Sequence, residues 1–524
     1  MTEAVAPTGR VNFTDGQWHR MHPMTPLLRG GIGLLAVIGI LIANLRDRFL
    51  EMFVLPFIPD AAGPGVDPGD WADDPIARLY ASGMIGWALL ALLAVLAVVI
   101  GGFSLSWRMR AFRITNEVVE VRNGILLRTH RQGRLDRIQG VDISRSLLAR
   151  IFGVAAMSIQ VAGQDANIEL AYLGSAAVDR LRRDVLLLAS GSQQSAGPIS
   201  AEPVAAQATG VTGLLQHRAS EFLSPELDSS LTVPESIVRI PPARLVGSLV
   251  ISWSSVVLVA AVIVGIVWVQ NSHDYLVLFG ALPVLIGFGG HMISRISRSL
   301  RFSVAGTIDG IRVGHGLLST RNETLPPGRI HALQLSQPLL WRPFGWWEVT
   351  FTRASQPTSD SSGNVARTTI LPVGTLQDVV AVISLILPDT PTRAMLLRSG
   401  AVGAGTTDGY RSSPPRAAWL KPFGWRRNAI AIGEGAVYLR RGLLRRELSI
   451  IPLARVQGVE LRQGPLARSL ALTSVVTHTV GGVVGTRLSA IDQDEAALLF
   501  EQLAELVVSS AVTDGSHRWR EQRA

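Results

Sequence analysis

Residues 123–153 read NGILLRTHRQGRLDRIQGVDISRSLLARIFG, and the spacing of glycine and arginine in this stretch recurs twice more along the chain. Gly124, Arg137 and Arg150 stand thirteen positions apart. The other two copies keep the same spacing at Gly316, Arg329 and Arg342 and at Gly442, Arg455 and Arg468. A recurring period of this kind is the signature of repeated structural units. The sequence therefore predicts three copies of one unit.

Within each copy the apolar residues predict short strands followed by one helix. Val119 and Val121 before the glycine, and Val141 and Ile143 after the arginine, alternate as half-buried strands do. The glycine between the two pairs suits a hairpin turn. Each copy ends in apolar residues at helical spacing. Strands closed by one helix predict a small β-barrel or sandwich with its open end covered, which is the arrangement of pleckstrin-homology-like (PH-like) domains.

Four other stretches are apolar enough to cross a bilayer, which takes about 20 helical residues. They form two hairpins, Leu27 to Leu45 with Gly83 to Phe103, and a span within Leu245 to His273 with Tyr275 to Ser294. The loop between the first two spans is acidic, whereas arginines flank the other ends, which predicts cytoplasmic termini. The predicted fold class is a multi-domain integral membrane protein with four helices in two transmembrane α-hairpins and three PH-like β-barrel or sandwich domains. We expect a multi-pass protein of the cytoplasmic (inner) membrane.

The predicted boundaries follow from these patterns and from two stretches rich in Ser, Ala, Gly and Pro that separate them. In order they are an N-terminal segment 1–26, transmembrane hairpin 1 at 27–107, PH-like domain 1 at 108–190, a linker 191–240, transmembrane hairpin 2 at 241–294, PH-like domain 2 at 295–388, a linker 389–415, PH-like domain 3 at 416–510 and a tail 511–524.

The composition narrows the classes of function. Only 17% of the 524 residues are charged and 48% are hydrophobic, a low charge content for a soluble protein. The absence of Cys excludes disulfides, thiolate metal sites and cysteine nucleophiles. The net charge is +9, and Lys421 is the one lysine among 49 basic residues. This balance favours anionic surfaces such as phospholipid headgroups.

The combination of a hairpin and a β unit carrying residues 123–153 resembles bacterial PH-like-domain membrane proteins of the YdbS/YdbT type. The third copy, RRGLLRRELSIIPLARVQGVELRQGPLARSLAL at 440–472, is more similar still, and the order of hairpins and units resembles the longer, YdbT-like members. The middle copy departs from the pattern, with His331 in place of Gln139 and Gln457. The resemblance implies cytoplasmic PH-like domains, often a small neighbouring membrane protein with one hairpin and one unit, and no established enzymatic chemistry.

The densest positive charge lies in the third unit, at Arg426, Arg427, Arg440, Arg441, Arg445 and Arg446. Arginines at a loop end can hold phosphate through paired hydrogen bonds, and each basic residue near an anionic leaflet contributes about 1 kcal/mol. We interpret the six as candidate contacts for anionic lipid or a partner; a solvated face is the alternative. The near-duplicate motifs RPFGW at 342–346 and KPFGW at 421–425 suit a water–lipid boundary, unless their rings pack inside domains.

Arg137, Arg329 and Arg455 recur in all three copies, which favours a structural role through local salt bridges. His291 is the ionisable group well inside an apolar span and is a candidate functional residue there. No motif for catalysis, for a cofactor or for a metal is present in the sequence. We therefore expect no enzyme, no cofactor and no metal site.

These observations predict a membrane-anchored scaffold or binding protein at the cytoplasmic face. Its expected partners are membrane phospholipids, a small PH-like membrane protein, or a second copy of itself. The alternatives are a subunit of an export or envelope-stress system whose spans move a substrate, and an enzyme with an unrecognised site. Nucleic acid is not expected, because the basic residues do not form a stacking platform.

Overall fold

The structure is a computed structural model that describes residues 13–23, 25, 87, 90, 94, 101–124 without 103 and 106, 128–163, 167–190, 238–272, 276–354 without 308, 318 and 327, 369–387, 391–406, 409–433 and 435–515. Most of the predicted first hairpin, nearly all of the linker 191–240 and most of the tail lie outside these residues.

Three units with one plan account for the described strands. Each unit has four strands, then three more, then a helix; the sequence pattern predicts strands closed by one helix, but not their number. Unit 1 contains β1 (His19–Arg20), β2 (Ala111–Ile114), β3 (Val118–Asn123), β4 (Thr129–Arg134), β5 (Ile138–Arg145), α1 (Leu147–Ile151), β6 (Val154–Val161), β7 (Ile168–Gly174) and α2 (Ser175–Ala189).

Units 2 and 3 repeat this plan. Unit 2 contains β8 (Val238–Arg239), α3 (Pro242–Val250), α4 (Trp253–Ser272), α5 (Leu276–Ser299), β9 (Ser303–Thr307), β10 (Gly310–His315), β11 (Thr320–Leu325), β12 (Ala332–Pro338), β13 (Trp347–Thr352), β14 (Thr369–Gly374) and α6 (Leu376–Ile386). After α7 (Pro391–Val402), unit 3 contains β15 (Arg411–Ser412), β16 (Ala429–Gly433), β17 (Ala436–Arg441), β18 (Arg445–Pro452), β19 (Gly458–Arg462), α8 (Pro465–Ser469), β20 (Leu472–His478), β21 (Arg487–Asp492) and α9 (Gln493–Thr513).

The capping helices lie where helical spacing predicts them. Their apolar residues are buried against the strands of the same unit, for example Val178 and Leu181 of α2, Val382 of α6, and Leu499 and Leu503 of α9. The α6 helix begins with a capping box, in which the Thr375 hydroxyl accepts from the Asp378 amide. Each unit is therefore a β-sandwich with its own helix, as expected for PH-like domains.

The sheets continue from one unit into the next, which the sequence analysis did not predict. The described strands form a four-stranded sheet β1-β2-β3-β4, a seven-stranded sheet β7-β6-β5-β11-β10-β9-β8, a seven-stranded sheet β14-β13-β12-β18-β17-β16-β15 and a three-stranded sheet β19-β20-β21. Strand β5 of unit 1 pairs antiparallel with β11 of unit 2, and β12 of unit 2 pairs in the same way with β18 of unit 3. The units are joined edge to edge.

The two junctions have the same register. Asp142 faces Glu323 at the first junction, and Gln334 faces Ser449 at the second. In both cases the residue five positions after the repeat arginine of one unit faces the residue seven positions after the repeat glycine of the next unit. The second arginine of the repeat, thirteen positions after the first, also makes the same contact at both junctions. Arg150 donates to a carbonyl in the hairpin of unit 2, and Arg342 donates to a carbonyl in the hairpin of unit 3.

The repeat glycine occupies a hairpin turn, as predicted, and Gly442 shows why. Its φ is +79°, in the left-handed region, and a Cβ there would lie 2.0 Å from the carbonyl oxygen of Arg445. We expect Gly442→Ala to lower the free energy of unfolding by about 2 kcal/mol, measured by denaturant unfolding of the full-length protein. Gly464→Ala is the matched control, because Gly464 has an ordinary φ of −86° and open space around its Cα. Equal effects of the two changes would contradict this explanation.

The segment 389–415, predicted as a linker, is instead largely structured. Its α7 helix buries Leu396, Leu397 and Ala401 against β16, β17 and β18. The hydrophobic residues that cover this face of the sheet come from outside the repeat. The repeat spacing gives no indication of this helix.

Four transmembrane helices are not supported by the part of the chain that the structure describes. By length and composition one described helix could cross a membrane, Gln493–Thr513, and Pro242–Val250 with Trp253–Trp268 pass the same test as a pair bent by 51°. The first of these is α9, which caps unit 3. The first predicted hairpin falls mostly outside the described residues.

Candidate functional site

A loop of unit 3 occupies the position at which unit 2 carries α4 and α5 and at which the sequence predicts the first hairpin in unit 1. In unit 1 the chain leaves after β1 and returns at β2, with the first predicted hairpin between them, and α4 and α5 lie between β8 and β9 in unit 2. In unit 3 the residues 413–428 occupy this position. They contain two 3₁₀ turns, Pro415–Trp419 and Trp425–Arg427. We refer to these residues as the insertion loop.

The insertion loop presents aromatic rings to solvent. Trp419 and Phe423 are 84% and 79% exposed, whereas Trp425 packs beside buried Ala417 and Leu472. In the corresponding motif of unit 2, Phe344 is exposed and stacks at 4.7 Å on Trp346, which is partly buried against the core. In each motif, therefore, the Phe ring is exposed and available to a water–lipid boundary, whereas the Trp ring packs against its domain.

The turn between β17 and β18 lies beside this loop and extends the apolar surface. Leu443 and Leu444 are exposed at its tip, and the Arg342 guanidinium of unit 2 donates to the Leu443 carbonyl. A shallow cleft of about 430 Å³ opens between the turn and the loop, lined by Lys421, Pro422, Phe423, Gly424, Asn428, Arg441, Gly442, Arg445 and Glu447. Units 2 and 3 both contribute to the surroundings of this cleft.

Positive charge exceeds negative charge around the cleft. Arg441 pairs with Glu447 at 2.8 Å, and Arg445 pairs with Glu348 at 3.0 Å. Lys421 donates to the amide oxygen of Asn428 at 3.2 Å. Among the described residues, no carboxylate forms an ion pair with Lys421, Arg426 or Arg446.

Burial and mutual repulsion lower the pKa of cations around the cleft. Burial lowers the pKa of Lys421, and the nearby Arg441 lowers it further. Burial likewise lowers the pKa of Arg342, with Arg446 adding to the effect. An anion in the cleft would offset this repulsion, and phosphate is one of the groups that guanidinium and ammonium donors bind well.

Two of the six predicted contact arginines have another role. Arg440 has no exposed surface, and its guanidinium donates to the carbonyls of Ser399, Gly405 and Arg427. Arg427 is also buried and donates to four carbonyls at the end of α7, those of Gly400, Ala401, Val402 and Gly403. Cations at a helix C-terminus are stabilising because they complement the helix dipole. The prediction that these two contact a ligand does not fit their positions, since they fasten α7 to unit 3.

The other four predicted arginines lie nearer the surface. Arg426 is exposed and stands over the Trp425 ring at 5.4 Å. Arg445 is also exposed, while Arg441 and Arg446 are partly buried in the junction with unit 2, where Arg446 donates to Gln337 at 3.2 Å. The structure thus divides the predicted cluster into surface cations and junction cations.

The repeat arginines make contacts of longer range than the local salt bridges predicted for them. Arg329 donates to the carbonyl of Asp136 in unit 1 at 2.7 Å, and Arg455 pairs with Asp514 just after α9 at 2.8 Å. Arg137 is exposed. His291 is exposed on α5, and its functional role stays a prediction.

The sequence singled out Lys421 and Arg342 in two boundary motifs but did not place them with the arginine cluster of unit 3. The duplicated RPFGW and KPFGW motifs were the available signal, but their proximity depends on how units 2 and 3 join. Within the described residues no group of three or more metal-ligating side chains is found.

Comparison with known proteins gives one match. A family profile described as Bacterial PH domain matches the chain three times, at residues 64–188, 241–390 and 382–507, which together exceed half of its length. No curated protein and no solved structure matches the chain.

Proposed function

Because the chain belongs to the Bacterial PH domain family, we propose that it is a membrane-anchored scaffold whose third unit binds phosphate headgroups of an anionic leaflet. PH-like domains indicate a binding or scaffold role in general. The finer proposal is an inner-membrane protein of the YdbT type, with two transmembrane hairpins and cytoplasmic termini.

The exposed surface of α4 supports membrane anchoring. This helix has no charged residue, and apolar side chains are exposed around it, among them Val257, Ile263 and Val264. Water is a poor solvent for such a surface, whereas lipid suits it. Trp253 and Trp268 are exposed near its two ends, and tryptophan is enriched at membrane–water interfaces.

The α3 helix connects this anchor to the candidate site. It packs Leu245 and Leu249 on unit 2, and its Ser248 carbonyl accepts from the Trp341 ring at 3.2 Å. The chain then bends by 51° into α4. Since Trp341 and Arg342 belong to the same turn of unit 2, the cleft lies close to the point where the chain would enter the membrane.

The observation that carries the proposal is the insertion loop. Unit 2 carries α4 and α5 at this position, the sequence predicts a hairpin there in unit 1, and unit 3 presents Trp419 and Phe423 there beside a cation-rich cleft. Each basic residue near an anionic leaflet contributes about 1 kcal/mol, and burying one Phe side chain in an apolar medium about 1.5–3 kcal/mol. The anchor keeps the loop at a high local concentration of lipid, so these modest terms suffice.

A dye at the insertion loop tests this proposal. The chain has no Cys, so Phe423→Cys can carry a single polarity-sensitive fluorophore in the full-length protein. In nanodiscs containing phosphatidylglycerol we expect blue-shifted emission relative to nanodiscs of phosphatidylcholine alone. Adding Lys421→Gln and Arg426→Gln should reduce the difference, because both cations attract the anionic leaflet.

The matched control is the same dye at Val512→Cys. Val512 is also exposed and belongs to unit 3, but it lies near the far end of α9, about 28 Å from the start of that helix. Its emission should not depend on lipid charge. Equal emission from the Phe423 dye in both lipids would rule out leaflet contact at this loop.

A further inference from the structure

The row of three units ends in two strand edges that have no neighbouring strand among the described residues. Strand β4 is the last strand of the first sheet, and β19 is the first strand of the last sheet. By repeat position β4 is equivalent to β11 and β18, and β19 is equivalent to β5 and β12. These are the strands that pair at the two internal junctions.

Burial shows what the junctions cover. At the internal junctions Ile143 and Leu335 are buried, whereas the equivalent Leu461 of β19 is exposed. Asn322 of β11 is likewise buried, and the equivalent His130 of β4 is exposed. The two terminal edges therefore have the exposure that an unfilled junction of the same kind would have.

The register that the two junctions share predicts the residue pairs that a third junction would form. The residue five positions after the repeat arginine of unit 3 is Glu460, and the residue seven positions after the repeat glycine of unit 1 is Arg131. This pair carries opposite charges, which is favourable for directly facing residues of antiparallel strands. Arg462 would face Thr129 in the same register.

A second contact is also available at this end. Arg150 and Arg342 each reach a hairpin carbonyl of the following unit. The equivalent Arg468 on α8 is exposed. The end of unit 3 thus keeps both parts of the junction, a strand edge and a clasping arginine.

We propose that β19 of one chain pairs with β4 of a second copy, so that the protein assembles head to tail through a third junction like the two inside the chain. The partner is a second copy because the chain itself makes this pairing twice in one register and has a complementary edge at each end. Exposed strand edges are templates for such pairing. A head-to-tail interface is heterologous, so it yields rings if the rotation closes and filaments if it does not.

Disulfide cross-linking of the full-length protein in its membrane tests the pairing. Facing residues of antiparallel strands lie about 4.5–5.5 Å apart at Cα, within the range of a disulfide. A chain carrying Glu460→Cys and Arg131→Cys should give, on oxidation, covalent species at multiples of the chain mass that disappear on reduction. Glu460→Cys with Thr129→Cys is the control, because Thr129 is two positions out of register.

The outcomes separate the possibilities. Cross-linking of the Arg131 pair at least five-fold above the Thr129 pair supports the proposal. Its absence, equal yields from both pairs, or a covalent product with a different protein would overturn it. None of these outcomes depends on lipid contact at the insertion loop, so the two proposals can fail separately.

Charge reversal gives a second test that does not depend on disulfides. Glu460→Arg and Arg131→Glu should each reduce assembly, because like charges would then face each other. A mixture of the two variants should recover it, since every junction between unlike variants joins opposite charges. Arg468→Ala should also weaken assembly, measured by the mass of the detergent-purified protein. Loss in both single variants without recovery in the mixture would exclude the predicted register.

Discussion

Replacing Arg440 with alanine is expected to lower the free energy of unfolding by about 4 kcal/mol, one of the two largest effects that the structure implies. The guanidinium is buried and donates to the carbonyls of Ser399, Gly405 and Arg427, and it stands 4.6 Å from the centre of the Tyr410 ring. Each buried acceptor left without a donor costs about 1–3 kcal/mol, and the vacated space adds to the loss. Unfolding of the full-length protein in detergent, followed by tryptophan fluorescence, measures the change.

Arg426→Ala is the matched control for this prediction. Arg426 lies near Arg440 in the same unit but is exposed, so its loss should change stability by less than about 0.5 kcal/mol. Similar effects of the two substitutions would show that Arg440 does not fasten α7. If the function of Arg440 were instead to contact lipid, its removal would alter lipid binding with little change in stability.

The second large effect is a loss of stability in acid that depends on His331. Burial, together with the opposing charges of Arg455 and Arg329, lowers the pKa of this histidine from 6.5 to about 4. Below about pH 6.5 the unfolded chain binds a proton at this residue, whereas the folded protein does not until about pH 4. The protonation of His331 therefore leaves the free energy of unfolding unchanged above pH 6.5 and decreases it by about 3 kcal/mol as the pH falls to 4.

His331→Gln should remove this part of the pH dependence. Glutamine occupies the equivalent position in the other units, as Gln139 and Gln457, so the fold accepts it. The charged groups nearest His331 are Arg329 and Arg455, and Asp514 balances Arg455 through its ion pair. Unfolding midpoints at pH 7.5, 6 and 5 should diverge between wild type and variant as the pH falls. Parallel curves would assign the acid sensitivity to other groups.

Local patterns predicted the elements of the fold well. The alternation before Gly442 and after Arg455 identified β17 and β19, and helical spacing identified α9, because side-chain periodicity reflects which face of an element is buried. The positive φ of Gly442 agrees with the turn that its position suggested. Such features depend on residues close together in the chain.

The candidate site was predicted only in part. Arg426 and Arg445 are exposed as expected, but Arg427 and Arg440 are buried by α7, a helix that falls within the predicted linker. The charge of an arginine does not reveal whether its partner is a phosphate in solution or a carbonyl from another segment. For Arg440 those carbonyls lie 13 to 41 positions away in the chain.

The amino-acid sequence was sufficient to predict three PH-like units, with strands, turn glycines and capping helices. These follow from periodicity within about 90 residues, where each side chain's environment repeats with the element. The pairing of β5 with β11 and of β12 with β18 is visible only in the folded chain. An edge strand has the same alternation whether its neighbour is its own unit, the next unit or another molecule, so only the position of the backbones in space reveals the partner.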